Sequence, residues 1–405
     1  MSTEIPSMGA PCRKERQRKV LVVVGEFPPL LGGIPDYTAL LAQGLASLGL
    51  HVTVATSTVK DQEERSIRQG VEIRRVLSQW RLSEVQAILR IIDELGRDTI
   101  LHVMYGGFAN RRRPMVILLP LILRVLRPHC RVIVTLHEFR AQRARWRLWT
   151  LPMVVAAHRL IFVDPPDREL LLRWTRLKRP WMECIPMAPT ILPVPVTIDQ
   201  RRAWRQRLGI SGDTQVVTFF GGIWRQKRFL DLLQVMNRLR HNTVPACLLV
   251  IGWFGPGVGE NQHYESEVRE ALRDGQSAGW IKLAENCPPD AVSEYLHASD
   301  VAVFPFPRGA KSNNTSLLTA LAHGLPVVTT SGVDTPDGFA EQYGVTLVPA
   351  GNPEALATRL EEILLSDEER SRLKTKAQLA ANALSWPLIA RMTAAFYGSL
   401  RPTER

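Results

Sequence analysis

Cysteine is scarce and acid is outnumbered in this 405-residue chain, and each shortage excludes something. The five cysteines, Cys12, Cys130, Cys184, Cys247 and Cys287, are scattered, odd in number and form no CxxC pair. A disulfide scaffold and a cysteine zinc site are therefore not expected, and a reducing, cytoplasmic compartment is the natural setting. No apolar run reaches the roughly 18–20 residues that cross a bilayer. The basic stretch up to Lys19 followed by Val20–Gly25 mimics a signal peptide, but the run is short, Glu26 follows at once and no small-residue cleavage site appears. Residues 1–18 read instead as a disordered basic arm. No Asp-x-Asp pair is present to hold a metal, and no metal or resident cofactor is expected.

What is abundant is positive charge. Lysine and arginine number 51 against 39 acids, giving +12 and a pI near 9.9. Such a balance favours anionic partners: nucleotide diphosphates, phospholipid headgroups, an acidic glycan or nucleic acid. Hydrophobic content of 45% is ordinary for a globular protein, and the length allows two domains, each with its own core.

Short apolar runs and helical patterns alternate along the chain. Val20–Val24, a loop with Gly32-Gly33, a helix from about Pro35 to Leu48 and a strand His51–Ala55 form a β-α-β unit. Helices over 83–95, 114–127, 146–157 and 167–175 then alternate with strands over 99–104, 131–136 and 159–163. Prolines 186, 189, 193 and 195 break the pattern, and a second series follows with strands near 216–220, 247–251, 280–283, 301–304, 327–330 and 345–347. Alternation of this kind predicts α/β architecture, two Rossmann-like parallel-sheet domains. The expected division is 19–187, a linker over 188–200, a second domain over 201–380 and a final helix within 381–405.

Residues 299–330 are the most informative segment. The strand Val301–Phe304 leads through a Pro/Gly-broken loop to Lys311, Ser312, Asn313, Asn314 and Thr315, and then to a helix closed by Gly324-Leu325-Pro326. The first amides of a helix have no intrahelical partner, so a polar loop opening a helix after a strand is a ready anion site.

The order Asp300, Pro305, Gly309 and Gly324-Leu325-Pro326-Val327-Val328 resembles the nucleotide-sugar half-site of the GT-B glycosyltransferases, especially the retaining enzymes of family 4. The resemblance covers nearly the whole chain, from Gly32-Gly33 to the Ser385-Trp386 helix. It implies two Rossmann-like domains facing across a cleft, a nucleotide-sugar donor, and a final helix that crosses back to the first domain. It also implies a glycan or lipid-linked acceptor, in cell-surface polysaccharide or glycolipid synthesis. Two glutamates usual in the family are replaced here by Lys311 and Thr319. Thr319 keeps a hydroxyl at the ribose slot, while Lys311 either pairs with an acidic group on the donor sugar or is a solvated loop lysine.

The resemblance extends to three further places. Gly221-Gly222-Ile223-Trp224-Arg225-Gln226-Lys227-Arg228 is similar to the segment that clamps the donor diphosphate. Lys227 falls on the family's cation, and Arg225 or Arg228 stands in for the second. Gly32 and Gly33 match the first loop, where glycine permits close approach to phosphate. His137-Glu138 matches a signature near the donor sugar and acceptor, at a strand end where ligands gather in parallel sheets. The resemblance thus implies catalytic roles for His137 and Lys227. Donor binding falls to Gly32, Gly33, Gly221, Gly222, Arg225, Arg228, Lys311, Ser312, Asn313, Asn314, Thr315, Ser316 and Thr319. Glu138 and Tyr105 would meet the acceptor, and His102 is expected to be structural or peripheral to it.

Ten arginines between Arg111 and Arg147 face a single acid, Glu138, and surround the apolar run Met115–Leu123. The run reads as a buried helix, with an anionic membrane surface as a partner open to the arginines. Nucleic acid is not expected, because few aromatics are interleaved and no binding signature accompanies the charge. Two rivals stand beside the transferase: an epimerase or hydrolase of the same fold, and a catalytically silent partner subunit.

Overall fold

The computed structural model describes residues 18–400 other than 31, 107–112, 141, 176–180 and 255–259. Apart from Arg18, the basic arm lies outside the described residues, as do Arg111 and Arg112 of the cationic stretch. The apolar runs form strands buried on both faces, which parallel pairing between two helix layers requires. The first sheet contains β1 (Lys19–Val24), β2 (His51–Ser57), β3 (Arg65–Arg68), β4 (Val71–Leu77), β5 (Thr99–Tyr105), β6 (Arg131–Leu136), β7 (Arg159–Phe162) and β8 (Met182–Cys184). Its order is β3-β4-β2-β1-β5-β6-β7-β8, parallel except where β3 pairs with β4.

The second sheet contains β9 (Gln215–Ile223), β10 (Ala246–Phe254), β11 (Ile281–Glu285), β12 (Val301–Phe304), β13 (Val327–Ser331) and β14 (Thr346–Pro349). Its order, β11-β10-β9-β12-β13-β14, reverses direction between β9 and β12. That is a topological switch point, where loops diverge and leave a crevice for a ligand. Two domains of this architecture, matched below to proteins of known structure, make the fold GT-B.

Three local features depart from the sequence reading. The β3–β4 hairpin is additional, and its turn residues Gln69 and Gly70 both have positive φ, 50° and 77°. A two-residue turn of this kind matches the twist of the paired strands. The helix expected over 146–157 is two helices, Ala144–Trp149 and Leu151–Ala156. Pro152 lacks the N–H that a continuous helix would bond back to Leu148. The helix Ile198–Arg207 starts inside the span read as linker, where Thr197 and Gln200 cap each other reciprocally.

The last helix, Trp386–Gly398, packs on the helix Gly33–Ser47 of the first domain. The approach is close: a Cβ on Gly44 would lie 2.8 Å from the Ala390 Cβ. Trp386 Nε1 donates to the Pro189 carbonyl at 2.7 Å. Deeper in, the Tyr397 hydroxyl lies 2.6 Å from His102 Nδ1, and His102 Nε2 lies 2.6 Å from Thr135 Oγ1. His102 is fully buried and held neutral by that burial, with a pKa near 3, so its role is structural.

Tyr397→Phe keeps the ring packing but leaves His102 Nδ1 without its partner. The expected loss is about 1–3 kcal/mol of stability, the cost of a buried unsatisfied polar atom. A denaturant midpoint unchanged from the parent chain would show that this hydrogen bond does not hold the helix to the first domain.

Candidate functional site

The cleft is built around the N-terminus of the helix Thr315–Ala322, which follows β12 at the switch point. Its N-cap, Asn314, makes no side-chain cap, because Asn314 Oδ1 accepts from the Lys311 amide at 2.6 Å instead. The first-turn amides therefore have no side-chain cap, which leaves them suited to an anion. Glycines bring backbone close to them from both domains. A Cβ on Gly33 would meet the Thr315 side chain at 3.6 Å, and one on Gly221 would meet the Ser316 Cβ at 3.6 Å. Gly221 has φ +136°, and Gly252 packs so that a Cβ there would lie 2.6 Å from the Gly221 carbonyl oxygen. The positive φ of Gly221 disfavours any side chain there, and a side chain at Gly252 would push β10 away from β9.

Three connected cavities surround this point. One of about 620 Å³ runs between Gly32 and Gly33 of the first domain and Gly221, Gly222, Thr315 and Ser316 of the second, with His137, Glu138, Lys227 and Asn313 around it. A larger one, about 990 Å³, shares Glu138, Lys227, Lys311 and Asn314 and adds Arg225, Arg228, Phe306 and Arg308. A third, about 370 Å³, is polar throughout and lined by Glu138, Arg140, Asp164, Asp167, Arg308, Lys311, Asn313 and Asp334. Glu138 and Lys311 line all three.

Lys227 ends a short turn after β9, its ammonium 4.8 Å above the Phe306 ring. Burial lowers its pKa to about 8, the Lys311 charge adds to the lowering, and Glu138 opposes it. Arg228, with φ 49°, is tied to Asp231 at 2.6 Å, while Arg225 lines the large cavity from an exposed position. Trp224 covers Gly222, where a Cβ would meet the indole at 2.2 Å, and stands T-shaped to Trp253.

His137 sits at the end of β6 with its amide bonded to the Tyr105 carbonyl at 3.1 Å. Its ring packs edge-on against Tyr37, centroids 5.0 Å apart. Burial pushes its pKa down to about 3, so the ring is neutral at ordinary pH. Neither ring nitrogen has a hydrogen-bond partner among the described residues. A neutral imidazole with both nitrogens unpartnered can donate one hydrogen bond and accept another but cannot serve as a cation. The turn after it is pinned from below, where the Asp167 carboxylate accepts from the amides of Phe139 and Arg140 at 2.9 and 3.0 Å.

The domains also meet directly. Asn313 Nδ2 donates to the His137 carbonyl at 3.0 Å, and an Arg140 amino group donates to the Asp334 carbonyl at 3.0 Å. Asp334 in turn holds Arg308 through both carboxylate oxygens, at 2.9 and 3.0 Å.

Most of the residues singled out from sequence meet at this cleft, but three do not. Tyr105 is 1% exposed and belongs to the core of the first domain. Thr319 lies one turn inside the helix, 0% exposed, and lines none of the cavities. Ser312 is buried beside Asp164 and Tyr343, whose carboxylate and hydroxyl it touches, and so it binds the domains together. Sequence reasoning passed over Trp224, Trp253, Phe306, Arg140, Asp164, Asp167 and Asp334. Asp164-Pro-Pro-Asp167 begins two residues past the end of a strand, near where His137-Glu138 stands on its own strand, and that position was the available signal.

Residues 214–366 match the family model described as glycosyl transferases group 1. A D-inositol 3-phosphate glycosyltransferase of Corynebacterium urealyticum is 30% identical over 200 residues, 48% of this chain and 46% of that protein. The chain thus aligns with about half the length of that relative. A GDP-mannose-dependent alpha-(1-6)-phosphatidylinositol monomannoside mannosyltransferase of Mycolicibacterium smegmatis is 25% identical over 87% of this chain and 90% of its own. Among solved structures, sucrose-phosphate synthase from Thermosynechococcus elongatus superposes with a TM-score of 0.73 at 18% identity, covering 94% of this chain and 98% of that one. Sheet order, cleft and sequence agree on the architecture: the chain has the GT-B fold, and residues 214–366 form a domain that matches glycosyl transferases group 1.

Proposed function

We propose that this chain transfers a sugar, with retention, from a nucleotide-sugar to a glycan or lipid-linked acceptor in cell-surface polysaccharide or glycolipid synthesis. The observation that carries the reading is the uncapped helix start at Thr315, met by Gly33 across the cleft and by Gly221 beside it. Glycine backbone and helix amides take a diphosphate there, and Lys227 supplies the cation. As the sugar bond breaks, charge grows on the departing phosphate, and donors already aimed at it stabilise that change. In this reading the helix start and Lys227 do what a metal does elsewhere, so the reaction needs none. His137, neutral and open at both nitrogens, orients a sugar hydroxyl. The departing phosphate takes the acceptor's proton on the same face. The relatives' names, one an inositol-phosphate and one a phosphatidylinositol-mannoside enzyme, support a polyol or lipid-borne acceptor.

The same reading sets the protein against an anionic membrane at the cytoplasmic face. No described helix is long and apolar enough to cross a membrane. The helix Pro114–Leu126 buries Met115, Val116, Ile117, Leu119 and Leu123 but exposes Leu121 and Val125. Leu148, Trp149, Val155 and Trp174 are exposed on the helices that follow it, with Arg113, Arg143 and Arg145 also exposed. Apolar and aromatic side chains rimmed by arginine suit the headgroup region of an anionic bilayer.

Nucleoside diphosphate release should require an added acceptor and persist in EDTA. Release without acceptor would make the protein a hydrolase, and none with any donor and acceptor a silent subunit. Lys227→Ala should lower kcat/KM by the equivalent of about 2–4 kcal/mol. Affinity for the nucleoside diphosphate should be flat below pH 8 and fall above it, because the anion binds the protonated lysine. Lys227→Arg should abolish that fall, and an alkaline profile identical in both proteins would separate Lys227 from the phosphates. Co-sedimentation with liposomes should require anionic lipid, weaken as salt rises and drop in Arg143→Glu/Arg145→Glu. Equal binding to neutral liposomes in high salt would contradict the electrostatic docking.

A further inference from the structure

A fourth, small cavity continues from the cradle on the side of β10 and β11. At one end lie Gly33, Thr315 and Ser316; Asp36 lines it from the first domain, and Ile251, Asn286 and Cys287 line it from the second. Asp36 belongs to the first turn of the helix Gly33–Ser47, one turn beyond the glycine that faces Thr315. Its amide is bonded to the Gly32 carbonyl at 3.1 Å, but no donor among the described residues reaches its carboxylate. Burial pushes its pKa up to about 6, with no neighbouring charge or hydrogen bond offsetting that. An acid in the first turn of a helix is favoured by the helix dipole, which accounts for a charge on that turn. It does not account for a half-buried carboxylate that lines a cavity between the domains with no protein donor among the described residues to meet it.

The ligand's own order supplies the partner. A nucleotide runs phosphate, ribose, base, and the phosphates take the Thr315 end. A carboxylate against the phosphates would repel them. One step along lies the ribose, whose vicinal hydroxyls are two neutral donors spaced for the two oxygens of a carboxylate. An acidic side chain accepting from ribose hydroxyls is the arrangement used in dinucleotide-binding sheets.

We propose that Asp36 is a specificity residue that accepts the 2′- and 3′-hydroxyls of the donor's ribose, from the domain opposite the one that holds the phosphates. This rests on the donor site proposed above. The ribose then ties the two domains together, and the site selects ribonucleotides over deoxyribonucleotides whatever the base.

The test is calorimetric titration of the whole chain with GDP, UDP and ADP, and then with the 2′-deoxy form of whichever binds tightest. The parent chain should bind the 2′-deoxy form about tenfold more weakly, the loss of one hydrogen bond to a charged acceptor. Asp36→Ala and the size-matched Asp36→Asn, each checked for an unchanged circular dichroism spectrum, should bring that ratio close to one for Ala and part of the way for Asn. The ratio is unaffected by any change in repulsion of the phosphates, which both ligands share. A full ratio retained in both variants overturns the proposal. So does a variant that alters the ranking of GDP, UDP and ADP with the deoxy ratio intact, since Asp36 would then read the base. Failure of every nucleoside diphosphate to bind would overturn the donor reading itself, and this inference with it.

Discussion

The cleft depends on one helix start left without a side-chain cap. Had Asn314 capped the helix Thr315–Ala322 in the usual way, its carbonyl oxygen would occupy the space where an anion binds. Asn314 instead spends that oxygen on the Lys311 amide, which fixes the loop and frees the helix amides in a single contact. The glycines follow from this. At Gly33 and Gly221 bare backbone leaves open the space beside the helix start that a side chain would fill, and Gly221 also needs its positive φ.

The second constraint is that the site is shared between domains, so their relative position must be held without blocking it. The structure does this at the margins. Trp386 and Tyr397 tie the last helix to Pro189 and His102, behind the residues that line the cavities. Nearer the site, Arg140 to Asp334 and Asn313 to the His137 carbonyl join the domains through a few polar contacts. Contacts of this kind exchange with water at modest net cost, which suits a cleft that must admit and release ligands.

The fold was legible because parallel sheets write themselves plainly: strands buried on both faces are unbroken apolar runs, and helices of ordinary length separate them. The Gln69-Gly70 hairpin was not legible, since a glutamine with positive φ gives a weaker signal than Asn-Gly and β3 is mostly exposed. The single helix expected over 146–157 overlooked what Pro152 forbids. In the site, backbone-defined features were readable, because glycine and a polar helix start are local. The side-chain partnerships of the cleft, such as Arg140 with Asp334 and Asn313 with the His137 carbonyl, were not, because only the folded chain brings them together. Tyr105 ends the strand beside His137 and Thr319 follows the helix start, yet strand alternation and helix rotation turn both side chains into the core.

Lys311 and Thr319 show what a changed pair of residues does to such a site. Thr319 is fully enclosed and lines none of the cavities, so in the proposed donor site the ribose falls to another group. In the proposed role of Asp36, on the facing domain, an acid placed across the cleft would couple ribose recognition to the meeting of the domains. Lys311 lines all three large cavities and has no carboxylate within ion-pairing distance among the described residues. Asp164, Asp334 and Lys227 still feel its charge. A glutamate in its place would stand among Glu138, Asp164 and Asp334 and raise the local negative charge. It would also relieve the repulsion that helps to lower the pKa of Lys227. A lysine there balances the carboxylates of the polar cavity and adds to the burial that brings the Lys227 pKa down to about 8, so Lys227 remains a cation at neutral pH and loses its charge only in mild alkali.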